Sequence, residues 1–208
     1  MAVAEAGMKQ ARLRAGLAFA LCALLLSGCA GLVFGRSAQI GTPYIGDGPS
    51  MLRIAVWEPV QPLLVPHAAL IIHAPDGHIL YDPAGWTPDP RAQRKADVTY
   101  GVTPDIEQAF LMRAAMPMLR GALQSVARPQ SWELYLFELE VPDAVALDAS
   151  RLAQDRPALP MASCAFGVST LLRQLPGFED ISPCWLPQTL RQQLERRADL
   201  TLTRHLVP

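Results

Sequence analysis

The stretch HAALIIHAPDGHILYD (67–82) reads as two strands joined by a turn. His67 to His73 and His78 to Asp82 are apolar and rich in residues that fit a pleated surface, and Ala74-Pro75-Asp76-Gly77 between them is a hairpin turn signal. Alternate strand residues share a face, so His67, Ala69, Ile71 and His73 point the same way. A four-residue loop over 74–77 sets His73 opposite His78, Ile71 opposite Leu80 and Ala69 opposite Asp82. Asp82 is then a diagonal neighbour of His67, roughly 7–8 Å away between backbone positions. A two-residue turn at Asp76-Gly77 would slide Asp82 to a place opposite Ile71, on the same face but farther from His67.

Further strands are expected at Leu52–Glu58 and Glu133–Val141. Helical spacing covers Ile106–Val126, with Pro117 kinking or splitting it, and short helices follow at Asp148–Gln154, Cys164–Leu175 and Pro187–Leu194. Strands first, then strands interleaved with helices, predict an α+β fold with an antiparallel sheet and packed helices. There is no internal repeat.

The chain has 208 residues, 50% of them apolar, with 18 Lys plus Arg against 19 Asp plus Glu. That is enough for one core with an appended segment. The near-neutral charge balance argues against nucleic acid as a partner, because its binders concentrate basic residues on one face.

The appended segment is N-terminal. Lys9, Arg12 and Arg14 precede the apolar run Ala15–Leu26 and then Leu26-Ser27-Gly28-Cys29. The run is shorter than the ~20 residues that span a bilayer and has the three-part plan of a secretory signal. The tetrapeptide resembles the lipobox of bacterial lipoproteins, which implies cleavage before Cys29 and acylation of its thiol and new amino terminus. The division expected is therefore a signal peptide at 1–28, a lipidated terminus and tether at 29–50, rich in Gly, Ser and Pro, and a domain at 51–208. Removing Lys9, Arg12 and Arg14 from the basic side chains and Glu5 from the acidic ones leaves 15 against 18. No polybasic segment then remains to hold a membrane, and attachment rests on lipid. Ala30 is not the Asp that often retains such proteins in the inner membrane, which places the chain on the periplasmic face of the outer membrane.

Cys22 leaves with the signal and Cys29 is consumed by lipid, so Cys164 and Cys184 remain. In an oxidising compartment they form a disulfide or stay free. Cys164 opens a helix with Val168 and Leu171 on its face, where the unpaired N–H groups and the positive end of the helix dipole favour a thiolate. Cys184 sits in Ser182-Pro183-Cys184-Trp185, with no helix start to activate it.

A thiol nucleophile needs a base within reach and a group that orients the base. His67 has Asp82 near it, although on spacing alone a half-buried structural histidine is the simpler account. His205 is near the C-terminus. Three histidines on one hairpin raise the question of a metal, but six strand steps put His67 and His73 about 20 Å apart, too far for one ion. Ser163 lacks the G-x-S-x-G setting of a serine nucleophile.

HAALIIHAPDGHILYDPAGW (67–86), SCAFGVSTLLRQLPGF (163–178) and WLPQTLRQQL (185–194) together resemble the circularly permuted branch of the NlpC/P60 superfamily, papain-like thiol enzymes whose His-bearing strands precede the Cys-bearing helix. The resemblance spans most of 52–194. It implies Cys164 as nucleophile, His67 as general base and Asp82 as the third residue, with His78 as its substitute, and no metal or cofactor. The Gly-Asp opening of many such proteins is only shadowed by Gly46-Asp47. The activity implied is that of a membrane-anchored amidase- or peptidase-like hydrolase working through a thioester on a cell-envelope peptide or lipid, or on a protein acyl group. The alternative is a binding or scaffold module of the same fold with Cys164 and Cys184 disulfide-linked.

Overall fold

The computed structural model describes residues 43–60, 65–85, 92–112 and 131–207. Among them, seven strands form one antiparallel sheet: β1 (Met51–Pro59), β2 (His67–Ala74), β3 (Gly77–Tyr81), β4 (Gln93–Lys95), β5 (Val98–Tyr100), β6 (Trp132–Glu140) and β7 (Thr201–Val207), in the order β4-β5-β3-β2-β1-β6-β7. The helices among the described residues are α1 (Pro104–Leu111), α2 (Asp143–Gln154), α3 (Cys164–Leu172) and α4 (Pro187–Leu194). The fold is α+β, as the order of elements predicts.

The central strands are apolar on both sides because both faces of the sheet are covered. Leu52, Ile54 and Val56 of β1 and Ala68, Leu70 and Ile72 of β2 pack with α2, α3 and α4 through Ala149, Val168, Leu171 and Leu190. The alternate residues Ala55, Trp57, Ala69 and Ile71 pack with Ile106 and Leu111 of α1. Strand alternation thus divides one sheet between two cores.

The hairpin adopts the register of the four-residue loop: His73 lies opposite His78 and Ile71 opposite Leu80. The ladder closes one step further, at Ala74 and Gly77, so the turn itself is Pro75-Asp76. Gly77 has φ +143°, and a Cβ there would run into the Pro43 side chain. The alternative register, with Asp82 opposite Ile71, is not formed.

Residues 43–50, expected as the end of the tether, lie along the domain instead. Tyr44 O accepts the His78 N–H at 2.8 Å, the two rings meet edge to face, and Ser50 Oγ donates to Asp143 Oδ1 at 2.7 Å. Helix α2 begins at Asp143 rather than Asp148, α1 begins at Pro104, and α3 ends three residues early, at Leu172. The rest of the helix expected over Ile106–Val126, including Pro117, lies outside the described residues beyond Met112. Strands β4, β5 and β7 were not expected. The first two have three residues each, too few to show a period, and β7 is an edge strand with a mostly exposed, polar pattern.

Candidate functional site

His67 is the first residue of β2, and its ring emerges on the side of α1. Trp57, its cross-strand partner on β1, stacks on it with centroids 5.7 Å apart. Helix α3 covers the opposite face of the sheet, and Cys164 at its start interacts with the His67 ring by charge and hydrogen bonding. The N–H of Ala68, the next residue of β2, and that of Ala165 in α3 both favour the Cys164 thiolate by hydrogen bonding. Cys164 is 4% exposed.

The loop that delivers α3 is tightly turned. Ala162 has a left-handed φ of 66°, and Ser163 Oγ donates to Pro160 O. The helix is buried nearly throughout, with Val168 and Leu171 in the core as their spacing predicts. Its packing against the hairpin is close: a Cβ on Gly167 would strike Pro83 and Leu159.

Asp82 is 1% exposed and follows the last residue of β3. His67 Nε2 donates to Asp82 Oδ1 at 2.6 Å, the diagonal contact that the register allows. The carboxylate fits there because residue 85 is glycine; a Cβ at that position would fall on the Asp82 carboxyl group. Arg94 of β4 braces it from the far side, with Nη1 3.3 Å from Asp82 Oδ2 and Nη2 donating to Asp82 O at 3.0 Å.

With Nε2 committed to Asp82, His67 Nδ1 is buried and makes no conventional hydrogen bond. The Cys164 thiol, which interacts with the ring by charge and hydrogen bonding, is the group left for it. Such contacts are often loose until a substrate binds.

The electrostatics of the three groups are mutually consistent. Burial by itself pushes the His67 ring toward neutrality, but the Asp82 carboxylate and the Cys164 thiol outweigh it and raise the ring's pKa to about 10. Burial likewise opposes ionisation of Cys164, yet His67 and the two backbone N–H groups bring the thiol below its ordinary range. Asp82 is held below the usual carboxylate range, because His67 and Arg94 overcome the effect of burial. All three shifts favour the charged forms: thiolate, imidazolium and carboxylate in a row.

Cys184 differs in each respect. Burial raises its pKa, and its backbone N–H donates to Ser169 Oγ at 3.0 Å, a packing role within the loop before α4. Both thiols are free, so the disulfide of the binding-module alternative is not present.

His78, the other candidate for the third position, is at the opposite end of the hairpin. Its ring stacks on His73 at 4.0 Å, and His73 Nε2 donates to Glu107 Oε2 at 2.8 Å. His205 is exposed on β7. Cys29 lies outside the described residues, among which no helix is long and apolar enough to cross a membrane.

Sequence reasoning did not find Arg94 or Gly85. Arg94 sits in a three-residue strand with neighbours Gln93 and Lys95, where nothing marks one cation over the next. Gly85 reads as an ordinary turn residue. No family model, curated protein or solved structure matches the chain.

Proposed function

We propose that this protein is a lipid-anchored thiol hydrolase of the bacterial cell envelope, with Cys164 as nucleophile, His67 as its acid and base, and Asp82 as the residue that positions His67. The observation that carries the reading is the 2.6 Å bond from His67 Nε2 to a buried, ionised Asp82, which leaves Nδ1 for a thiol at the start of a helix. The His-bearing strand precedes the Cys-bearing helix, in keeping with a permuted papain-like arrangement.

The thiolate of Cys164 attacks an amide or ester carbonyl and forms a C–S bond. The oxyanion is stabilised by N–H groups at the start of α3. Collapse breaks the bond to the amine or alcohol, which leaves with the proton of the His67 imidazolium. The neutral ring then takes a proton from water as it attacks the thioester, releasing the acid and restoring the thiolate.

The test uses p-nitrophenyl acetate as a generic acyl donor and peptide mass mapping as the readout. The expected result is a burst of p-nitrophenolate with a hydroxylamine-labile acetyl group on Cys164, abolished by Cys164→Ala and reduced at least about a hundredfold by His67→Gln. Acetylation that spares Cys164, or that His67→Gln leaves unchanged, overturns the assignment.

A further inference from the structure

The network behind Asp82 reaches well beyond one ion pair. Arg94 Nη2 donates to Gly85 O at 2.9 Å as well as to Asp82 O, and its Nε donates to Ala96 O at 2.9 Å. Arg94 Nη2 also lies 3.5 Å from Asp97 Oδ1. Asp97 is itself buried; its Oδ2 accepts the Leu159 N–H at 2.8 Å, and its carbonyl accepts the Asp82 N–H at 2.8 Å. Leu159 belongs to the loop that runs into Cys164. One guanidinium therefore joins the end of β3, the β4–β5 turn and, through Asp97, the segment that carries the thiol.

The backbone is shaped around these contacts. Ala84 and Ala96 have left-handed φ values of 56° and 52°, a conformation unfavourable for alanine. Ala84 belongs to the turn whose Gly85 carbonyl Arg94 binds, and Ala96 offers Arg94 its own carbonyl.

We infer that Arg94 is a positioning residue of the site, whose planar fork fixes the Asp82 carboxylate and, through it, holds the His67 ring in line with Cys164. The inference rests on the Cys-His-Asp reading above. A lysine has one donor centre and cannot reach Asp82 and the Gly85 and Ala96 carbonyls in one plane.

The charge-keeping variant separates positioning from simple charge. The ionisable groups around Asp82 are His67 on β2, Arg94 on β4, Asp97 in the β4–β5 turn and Cys164 on α3. If Arg94 acted only as a nearby positive charge, Arg94→Lys would leave the Cys164 midpoint where it is in the wild type, because a cation would still face Asp82. If it positions Asp82, loss of the fork lets the carboxylate turn from His67 even when the charge is kept, and the Cys164 midpoint rises in Arg94→Lys as well.

The experiment is the pH profile of iodoacetamide alkylation at Cys164 in the purified full chain, read by peptide mass mapping with circular dichroism as the check on folding. In Arg94→Met the Cys164 midpoint is expected to rise by about one unit, so that alkylation at a pH below both midpoints slows about tenfold. Arg94→Lys keeps the charge without the fork, and its midpoint is expected to rise by a smaller amount. A folded variant of either kind with a midpoint at or below that of the wild type overturns the proposal, and Arg94→Lys alone decides it if Arg94→Met does not fold. His67→Gln separates the two levels: a midpoint unmoved by His67→Gln removes the Cys-His pairing itself. A midpoint that rises in His67→Gln but in neither Arg94 variant leaves the pairing and removes Arg94.

Discussion

Asp82 shows how far single residues could be read and where reading stopped. Its relation to His67 follows from counting register along one hairpin, because a strand's two-residue period fixes which side chains share a face. Cys164 was legible from its place at a helix start. What holds Asp82 was not legible, because Arg94 and Gly85 act through three-dimensional proximity rather than through any local pattern. Gly85 offers a direct check. A methyl group there must displace the Asp82 carboxylate, so Gly85→Ala is expected to lower stability by about 1–3 kcal/mol through overpacking. It should also raise the pH midpoint of Cys164 alkylation, as detachment of Asp82 from His67 requires. Chemical denaturation and the alkylation profile measure the two effects separately. Unaltered thiol reactivity in this variant would show that the Asp82 contact is not what sets it.

At the level of elements, the long strands were legible because they are apolar over a sustained length, and α4 because Pro187 opens it and its apolar spacing is clean. Helix α2 was underestimated at its start: its buried face is made of Ala146, Ala149 and Ala153, small residues that carry little periodic signal yet let the helix sit close to β2. The rings of His73 and His78 stack in parallel, and His73 is held between this partner, Glu107 and Arg53. Burial, then the His78 and Arg53 charges, lower the His73 pKa from 6.5 to about 4, so the folded ring is neutral and donates to Glu107. Unfolding returns the ring to its ordinary value. Between about pH 6.5 and pH 4 the unfolded chain therefore binds a proton that the folded chain does not, and stability falls as pH falls through that window. The loss attributable to His73 approaches about 3 kcal/mol at the acid end. Urea denaturation at pH 7 and pH 4.5 should show that loss, and His73→Gln, which keeps an N–H donor for Glu107, should reduce it. Equal acid sensitivity in the variant would assign the effect to other groups.

At the scale of the whole domain, Cys164 and Tyr44 lie at opposite ends of β2. Tyr44 is fixed to the hairpin tip at His78, while His67 and Cys164 occupy the other end, roughly 20 Å away at ~3.3 Å per residue. The described chain thus enters the domain at the end of β2 remote from Cys164. The intervening chain, from Cys29 to Pro43, spans at most about 50 Å when fully extended. The proposed lipid anchor and the proposed catalytic row use different residues, and their independence is testable. Wild-type protein expressed in a Gram-negative host is expected in the membrane fraction, released by detergent but not by high salt, since after cleavage 15 basic against 18 acidic side chains give no electrostatic hold. Cys29→Ala should abolish lipid attachment, leaving either a precursor that retains its signal or a soluble protein. In both forms Cys164 should alkylate with an unchanged pH profile, because residues 43–207 contain every group described at the site. A Cys29→Ala protein that is processed normally and still resists salt extraction would remove the lipid anchor while leaving the thiol site standing. A changed Cys164 profile would show instead that the N-terminal segment takes part in the site.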